Sequence, residues 1–167
     1  MANFQSSGYL GGVPFRPTYE GIFTVAQTIV IPAGTPLALN DKLYFAKLGE
    51  NVIPLSATLK VDDLDTGAAI VLDVGYEAAV AADVADFFID GSIIGQTGGV
   101  IRVENGGDDP FADGAFAGVN EVLDIVGLVQ VAPAGDPATD RKITLVLECA
   151  RANPNLALLS QPYSAGA

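Results

Sequence analysis

The stretch LKVDDLDTGAAIVLDVGY, residues 59–76, lies across two apolar alternations separated by a polar turn. Apolar side chains occupy every second position from Leu55 to Val61 and again from Ile70 to Tyr76. A period of two puts alternate side chains on one face, as in a β-strand that is buried on one side. Thr66-Gly67 between them is typical of a tight turn. We therefore predict two strands that form a hairpin.

Four aspartates lie in the same stretch. Asp62, Asp63 and Asp65 fall in the predicted turn, where aspartate commonly accepts backbone N–H hydrogen bonds. Asp73 falls on the solvent side of the second strand. The alternative is a calcium site formed by Asp62, Asp63 and Asp65, because clustered hard oxygen ligands on a turn suit that ion. The EF-hand pattern fails because its third ligand position is occupied by Leu64.

The rest of the chain repeats this organisation, with 19 glycines and 10 prolines separating short apolar runs. A third clean alternation runs from Ile143 to Cys149. Further candidate strands are Phe23–Ile31, Leu43–Leu48, Phe87–Ile94, Val100–Glu104 and Val122–Val131. About eight strands with at most one short helix predict an all-β fold, an antiparallel β-sandwich that is jelly-roll-like.

The sequence does not decide the local structure of two segments. Gln27 interrupts the alternation of its strand and predicts a β-bulge. The alanine-rich segment EAAVAADVAD, Glu77–Asp86, favours helix by composition, but two or three helical turns are marginal without packing. We predict either a short helix or a compact loop that crosses one end of the sheets.

The 167 residues suffice for one domain with appended ends. We predict an extended N-terminal arm over residues 1–21, a sandwich domain over 22–152 and a C-terminal tail over 153–167. The arm lacks periodicity yet carries four aromatics, whereas disordered tails are usually poor in them. Besides a plain disordered terminus, it therefore predicts a segment that docks on a partner surface or on a neighbouring subunit. The candidate contact residues are Phe4, Tyr9, Phe15, Arg16 and Tyr19.

Charge and composition exclude several classes of protein. The formal net charge is −12, from 20 acidic and 8 scattered basic side chains, whereas binding a phosphate backbone requires clustered lysine and arginine. We therefore expect no nucleic-acid partner. The chain has no apolar run near 18 residues and no basic-then-apolar leader, so we expect neither a transmembrane segment nor a secretory signal peptide.

Catalytic chemistry has few candidate residues. The chain has no histidine, which removes Ser–His–Asp and Cys–His catalysis and every histidine metal site. The single cysteine, Cys149, falls on the inward face of a strand and allows no intrachain disulfide. The glycine-rich segments at 95–99 and 104–110 lack the spacing of a phosphate-binding loop. No tryptophan is present to form a sugar platform for a carboxylate pair. We predict no enzymatic activity and no cofactor.

Three phrases occur in a characteristic order: TVAQTIVIPAGTPLALNDKLYFAKLGENV at 24–52, LKVDDLDTGAAIVLDVGY at 59–76 and DFFIDGSIIGQTGG at 86–99. In this order they resemble a family of small virion proteins of tailed bacteriophages, the head decoration or auxiliary capsid proteins. The resemblance implies a β-rich, non-enzymatic protein on the capsid surface of the virion. It further implies binding in many copies to the major capsid protein, with a homo-oligomer as the expected state.

A carbohydrate- or receptor-binding fibre or appendage component of the virion is the alternative. It requires exposed aromatic and carboxylate side chains on a loop, for which Phe111, Asp113 and Phe116 are the candidates. The opposing interpretation is a long glycine-rich connection whose aromatics pack on the core.

Overall fold

The computed structural model describes residues 2–10, 12–15, 21–107, 109–114, 116, 121–135 and 137–151. These residues form nine strands, a four-residue helix and one 3₁₀ turn. The strands are β1 Asn3–Gln5, β2 Ile22–Ile31, β3 Lys42–Leu48, β4 Val52–Val61, β5 Val71–Ala78, β6 Val84–Ser92, β7 Gly99–Glu104, β8 Leu123–Val131 and β9 Arg141–Arg151. Helix α1 spans Ser7–Leu10 and the 3₁₀ turn spans Ile94–Gln96.

The strands form two sheets with the orders β1-β3-β8-β5-β6 and β2-β9-β4-β7. Their pairing is nested, since β2 pairs with β9, β3 with β8, β4 with β7 and β5 with β6, all antiparallel. A long antiparallel ribbon rolled up on itself produces this order, and it is the topology of a jelly roll. The predicted all-β sandwich is therefore confirmed.

The hydrophobic core lies between the two sheets. In β9 every second residue from Ile143 to Cys149 is fully buried, as the period-two pattern predicts. Other large core side chains are Ile29, Leu43, Phe45, Leu59, Leu72, Phe88 and Ile125. Burying each such side chain contributes about 1.5–3 kcal/mol. Burial also raises the pKa of the Cys149 thiol to about 12, so this thiol remains protonated at neutral pH.

The stretch at residues 59–76 is not a hairpin, contrary to the prediction. β4 belongs to the four-stranded sheet, where Val61 pairs with Ile143, and β5 belongs to the five-stranded sheet, where Val71 pairs with Val131. Residues 62–70 therefore carry the chain from one sheet to the other. Period-two alternation identifies both strands, but the partner of each strand is remote in sequence.

The predicted helix at 77–86 is absent. β5 continues through Glu77 and Ala78, which pair with Asp124 and Leu123 of β8, and β6 begins at Val84. Pairing with a central strand overrides the weak helix preference of the alanines. What remains is the compact-loop alternative, a short β5–β6 connection.

The predicted bulge at Gln27 is also absent, because the β2–β9 register runs unbroken from Ile22↔Ala150 to Ile31↔Arg141. Gln27 breaks the apolar pattern for another reason. Its side chain points inward and accepts a hydrogen bond from the N–H of Gly8 at 3.2 Å.

Candidate functional site

The N-terminal arm lies along the free edge of β3. β1 pairs in parallel with β3, the N–H of Lys42 donates to the carbonyl of Ala2 at 3.0 Å, and the N–H of Ser6 donates to that of Tyr44 at 3.0 Å. Added strands of this kind satisfy the unpaired backbone groups at a sheet edge. The arm thereby covers an edge that would otherwise be open to other chains.

Ser6 fixes the arm where β1 turns into α1. Its hydroxyl donates to the carbonyl of Phe45 and accepts the N–H of Tyr9 at 3.0 Å, and the side chain is fully buried. Gly8 follows in contact with Gln27, and a Cβ at Gly8 would lie 2.3 Å from the Gln27 side-chain oxygen. A serine that satisfies two backbone groups and a glycine packed against the Gln27 side chain hold the arm at this point.

Tyr9 joins the arm to the outer face of the five-stranded sheet. Its ring stacks on Tyr44 with centroids 4.8 Å apart, and its hydroxyl donates to Asp124 at 3.1 Å. The ammonium of Lys47 lies 2.6 Å from Asp124 and 4.6 Å from the Tyr9 ring centroid, a cation–π distance. Burial and the neighbouring Asp124 carboxylate both raise the pKa of Tyr9.

A second ion pair extends this network across the sheet. Lys42 pairs with Glu77, and the hydroxyl of Tyr44 donates to Glu77 at 3.1 Å. The hydrogen bond to Glu77 raises the pKa of Lys42, which therefore remains charged at neutral pH. The network contains cations, carboxylates and phenols that are already paired with one another, an arrangement that holds the arm rather than one that activates a nucleophile.

The sequence-predicted contact residues occupy different positions. Phe4 and Phe15 are half-buried against the core, and Phe15 also exchanges backbone hydrogen bonds with Lys47 at 2.8 Å and Gly49 at 3.1 Å. Tyr9 packs on the sheet as described above. Arg16 and Tyr19 lie outside the described residues. The aromatics that are described thus anchor the arm to its own domain.

Two arm residues that the sequence reasoning missed are large apolar side chains that the structure leaves exposed. Leu10 is 69% exposed and Val13 is 74% exposed. The prediction selected aromatic side chains as anchors and passed over the aliphatic ones. Their position next to a Gly11-Gly12 pair, within a segment of no periodicity, was the available signal.

The aspartates at 62–65 form a second polar feature, centred on Asp65. This carboxylate is only 2% exposed and accepts five backbone N–H groups. The donors are Gly67 at 2.8 Å, Ala69, Ile70 at 2.9 Å, Ala134 at 2.9 Å and Gly135 at 3.1 Å. Burial acts to raise the pKa of Asp65, but the backbone hydrogen bonds outweigh it and hold that pKa well below its usual range.

Asp62 and Asp63 are exposed and also accept backbone donors. Asp62 accepts the N–H of Lys142 at 2.8 Å, and Asp63 accepts that of Asp65 at 3.1 Å. These bonds agree with the predicted turn chemistry. Within the described ranges, no group of three or more acidic or cysteine side chains has a metal-binding arrangement. A calcium ion would compete with the donors on Asp65, and the calcium alternative stays a prediction.

Asp73 does not point to solvent, contrary to the prediction. It is fully buried and accepts the N–H of Gly91 at 2.8 Å. The β5–β6 register shifts on both sides of Val74, and Gly91 adopts a positive φ of 62°, so β6 folds over the aspartate. Burial raises the pKa of Asp73, and the hydrogen bonds from Gly91 and Gln130 act in the opposite direction.

The loop proposed for receptor binding turns its aromatics inward. Phe111 and Phe116 are buried and pack against Phe87 at centroid distances of 5.6 and 5.4 Å. The side chain of Asn105 accepts the N–H of Phe116 at 3.0 Å and donates to the carbonyl of Pro54 at 3.1 Å. The exposed aromatic cluster that this alternative requires is therefore absent from the described part of the loop.

Fold and geometry together define a jelly-roll sandwich with an arm bound to one sheet edge, an architecture found in viral capsid proteins and lectins. The structure is similar to a chain in the capsid of Ralstonia phage GP4, with 28% sequence identity and a TM-score of 0.70 over 91% of this chain and 99% of that one. It is also similar to a chain of the cyanophage Pam1 capsid asymmetric unit, with 18% identity and a TM-score of 0.54 over 83% of this chain and 91% of that one.

The Pam1 likeness bears on the fold alone. The GP4 likeness supports a structural, non-enzymatic role in a phage capsid. The chain matches no protein-family model and no curated protein sequence. No helix within the described residues is long and apolar enough to cross a membrane.

Proposed function

We propose that this chain is a decoration or cement protein that binds the outer surface of a phage head in many copies and stabilises the shell. The observation that carries the proposal is the likeness to the GP4 capsid chain, which extends over 91% of this chain and 99% of that one. The partner is then the major capsid protein, and the protein resides on the capsid surface of the virion.

The physical character of the molecule supports this role. Its jelly roll has a continuous core, and among the described residues the arm covers the edge of β3 while charged side chains lie on the edge strands β6 and β7. A net charge of −12 keeps crowded copies soluble and mutually repelling until each is bound. A binding protein displayed at high local density requires both properties.

The arm supplies the contact with the shell in this proposal. Phe4, Tyr9 and Phe15 hold the arm on its own domain, so Leu10 and Val13 project from a fixed support. Exposed aliphatic side chains on a preorganised segment bind with little ordering cost. Arg16 and Tyr19 follow directly in the sequence and complete the proposed contact.

Binding to heads that lack the protein tests the proposal. Heads from a phage deleted for this gene are mixed with purified protein and sedimented, and the bound protein is measured. We expect saturable binding at a copy number comparable to that of the shell protein. Absence of binding, or binding of a few copies per head, would contradict a decoration role.

Matched variants test the proposed contact separately. Leu10→Asp combined with Val13→Asp is expected to abolish binding, because it puts charges into an apolar contact. Val80→Asp, at an exposed residue on the β5–β6 connection, is the control and should bind as the wild type does. Equal binding by the two variants would show that the arm is not part of the interface. The decoration role itself would still be decided by the binding of the wild-type protein.

A further inference from the structure

β2 is a ten-residue edge strand, and one of its sides is unpaired among the described residues. It ends the four-stranded sheet and pairs along its whole length with β9. Within the part of the chain that the structure describes, no backbone hydrogen bond joins β2 to any other segment. α1 contacts it at the inward-pointing Gln27, which leaves the outward side chains exposed.

The other sheet edges are protected in ways that β2 is not. The arm covers β3. β6 carries Asp86 and Asp90 and shifts register twice against β5, and β7 carries the Arg102–Glu104 ion pair. Natural proteins protect edge strands with such charges and bulges. The β2 sequence IFTVAQTIVI has no charge, no proline and no bulge.

On the outward face of β2, the order of residue types is the same in both chain directions. Its exposed residues are Ile22, Thr24, Ala26, Thr28 and Val30. From either end this is a β-branched aliphatic residue, threonine, alanine, threonine and a β-branched aliphatic residue. An antiparallel pair of identical strands related by a two-fold axis at Ala26 sets Thr24 against Thr28 of the second copy and Ile22 against Val30. Such self-complementarity is what an isologous interface requires.

We propose that β2 pairs antiparallel with β2 of a second copy of this chain, with the two-fold axis at Ala26. The two four-stranded sheets then form one continuous eight-stranded sheet. Threonine pairs across strands are favourable, and Thr28 already forms one with Thr144 of β9, whose hydroxyl oxygens are 2.8 Å apart. Two copies that each carry a net charge of −12 approach best through an uncharged strand.

Site-specific crosslinking tests the axis directly. Opposed residues of antiparallel strands have Cα atoms about 4.5–5.5 Å apart, within the range that a disulfide spans. Ala26→Cys is therefore expected to form a disulfide-linked dimer under mild oxidation. Val100→Cys, also exposed but on the opposite edge of the same sheet, is the matched control and should form no disulfide-linked dimer. The native Cys149 is buried and does not interfere. Equal crosslinking of the two variants would overturn the proposal.

Charge-pattern variants test the pairing in solution, without crosslinking. Thr24→Lys with Thr28→Lys opposes lysines twice across the axis and is expected to weaken dimerisation at least about tenfold in analytical ultracentrifugation. Thr24→Lys with Thr28→Glu opposes a lysine and a glutamate twice and should restore it. A wild-type chain that stays monomeric to about 1 mM, or two double variants that dimerise equally, would overturn the proposal. None of these outcomes depends on binding to a phage head.

Discussion

Asp65, on the β4–β5 connection, accepts a hydrogen bond from the backbone N–H of Ala134, on the β8–β9 connection, at 2.9 Å and 69 positions away in the sequence. Both connections carry the chain from one sheet to the other. The Asp65 carboxylate therefore ties together two crossings at the same end of the sandwich.

Replacing this carboxylate should destabilise the fold strongly. Asp65→Asn keeps the shape but turns an amide NH₂ group toward backbone donors, which leaves buried N–H groups unpaired. We expect a loss of about 3 kcal/mol in the free energy of unfolding, measured by urea denaturation. Asp63→Asn, at an exposed residue that accepts a single backbone bond, is the control and should cost much less. Similar losses for both variants would contradict the role of Asp65.

The lowered pKa of Asp65 predicts that the fold is sensitive to acid. The folded-state pKa of Asp65 lies below its unfolded value of about 3.9, so its contribution is fully present above that value and is lost as the pH falls toward the folded pKa. Stability measured from pH 6 to pH 2 should fall steeply below about pH 4 in the wild type. The fall should be shallower in Asp65→Asn, and an unchanged slope would refute the assignment.

The charge of Asp73 should destabilise the folded state at neutral pH, whereas that of Asp65 stabilises it. Its pKa is raised by burial, so the folded state disfavours the charged form at neutral pH. Asp73→Asn removes that charge, and its amide oxygen still accepts the N–H of Gly91. We expect a higher Tm at pH 7 and no gain at a pH where Asp73 is already protonated. Scanning calorimetry at the two pH values is the measurement, and a lower Tm at pH 7 would show that the charge itself is needed.

Ser6 should control how firmly the arm is held. Ser6→Ala leaves the carbonyl of Phe45 and the N–H of Tyr9 without this partner, at a cost of about 1–3 kcal/mol. Hydrogen exchange should speed up across residues 2–15 while the core of β9 stays protected. Ser7→Ala changes an exposed neighbour and should leave the exchange unaltered. Equal exchange in both variants would mean that the arm is held by other contacts.

Calcium should have no effect on stability. Both oxygens of Asp65 already accept backbone N–H groups, which a cation would have to displace. Thermal unfolding with calcium and then with a chelator should give the same Tm. A higher Tm with calcium would instead support a site at Asp62, Asp63 and Asp65, because a ligand of the folded state raises the midpoint.

The sequence predicted the positions of strands and turns well, but it predicted the pairing between strands poorly. Alternation from Leu55 to Val61 and from Ile143 to Cys149 identifies strands because it depends only on neighbouring residues. The sheet to which a strand belongs depends on pairings such as Val61 with Ile143, which local periodicity does not encode. The Glu77–Asp86 helix failed for the same reason, since β5 continues along β8.

The site residues show the same difference between local features and remote partners. The turn aspartates are recognisable from composition, but two of the five donors to Asp65, Ala134 and Gly135, lie on a connection that is remote in the sequence. Alternation places Asp73 on the solvent side, because it does not encode the irregular pairing of β6 beside it. The aromatic residues of the arm predict that it docks on a surface. That this surface belongs to the chain's own domain can be seen only in the three-dimensional structure.

The most direct test of the central claim is the copy number of this chain in purified virions, measured by quantitative mass spectrometry against the major shell protein. A decoration protein bound in many copies predicts a number comparable to that of the shell protein. A handful of copies per particle, or none, would contradict it.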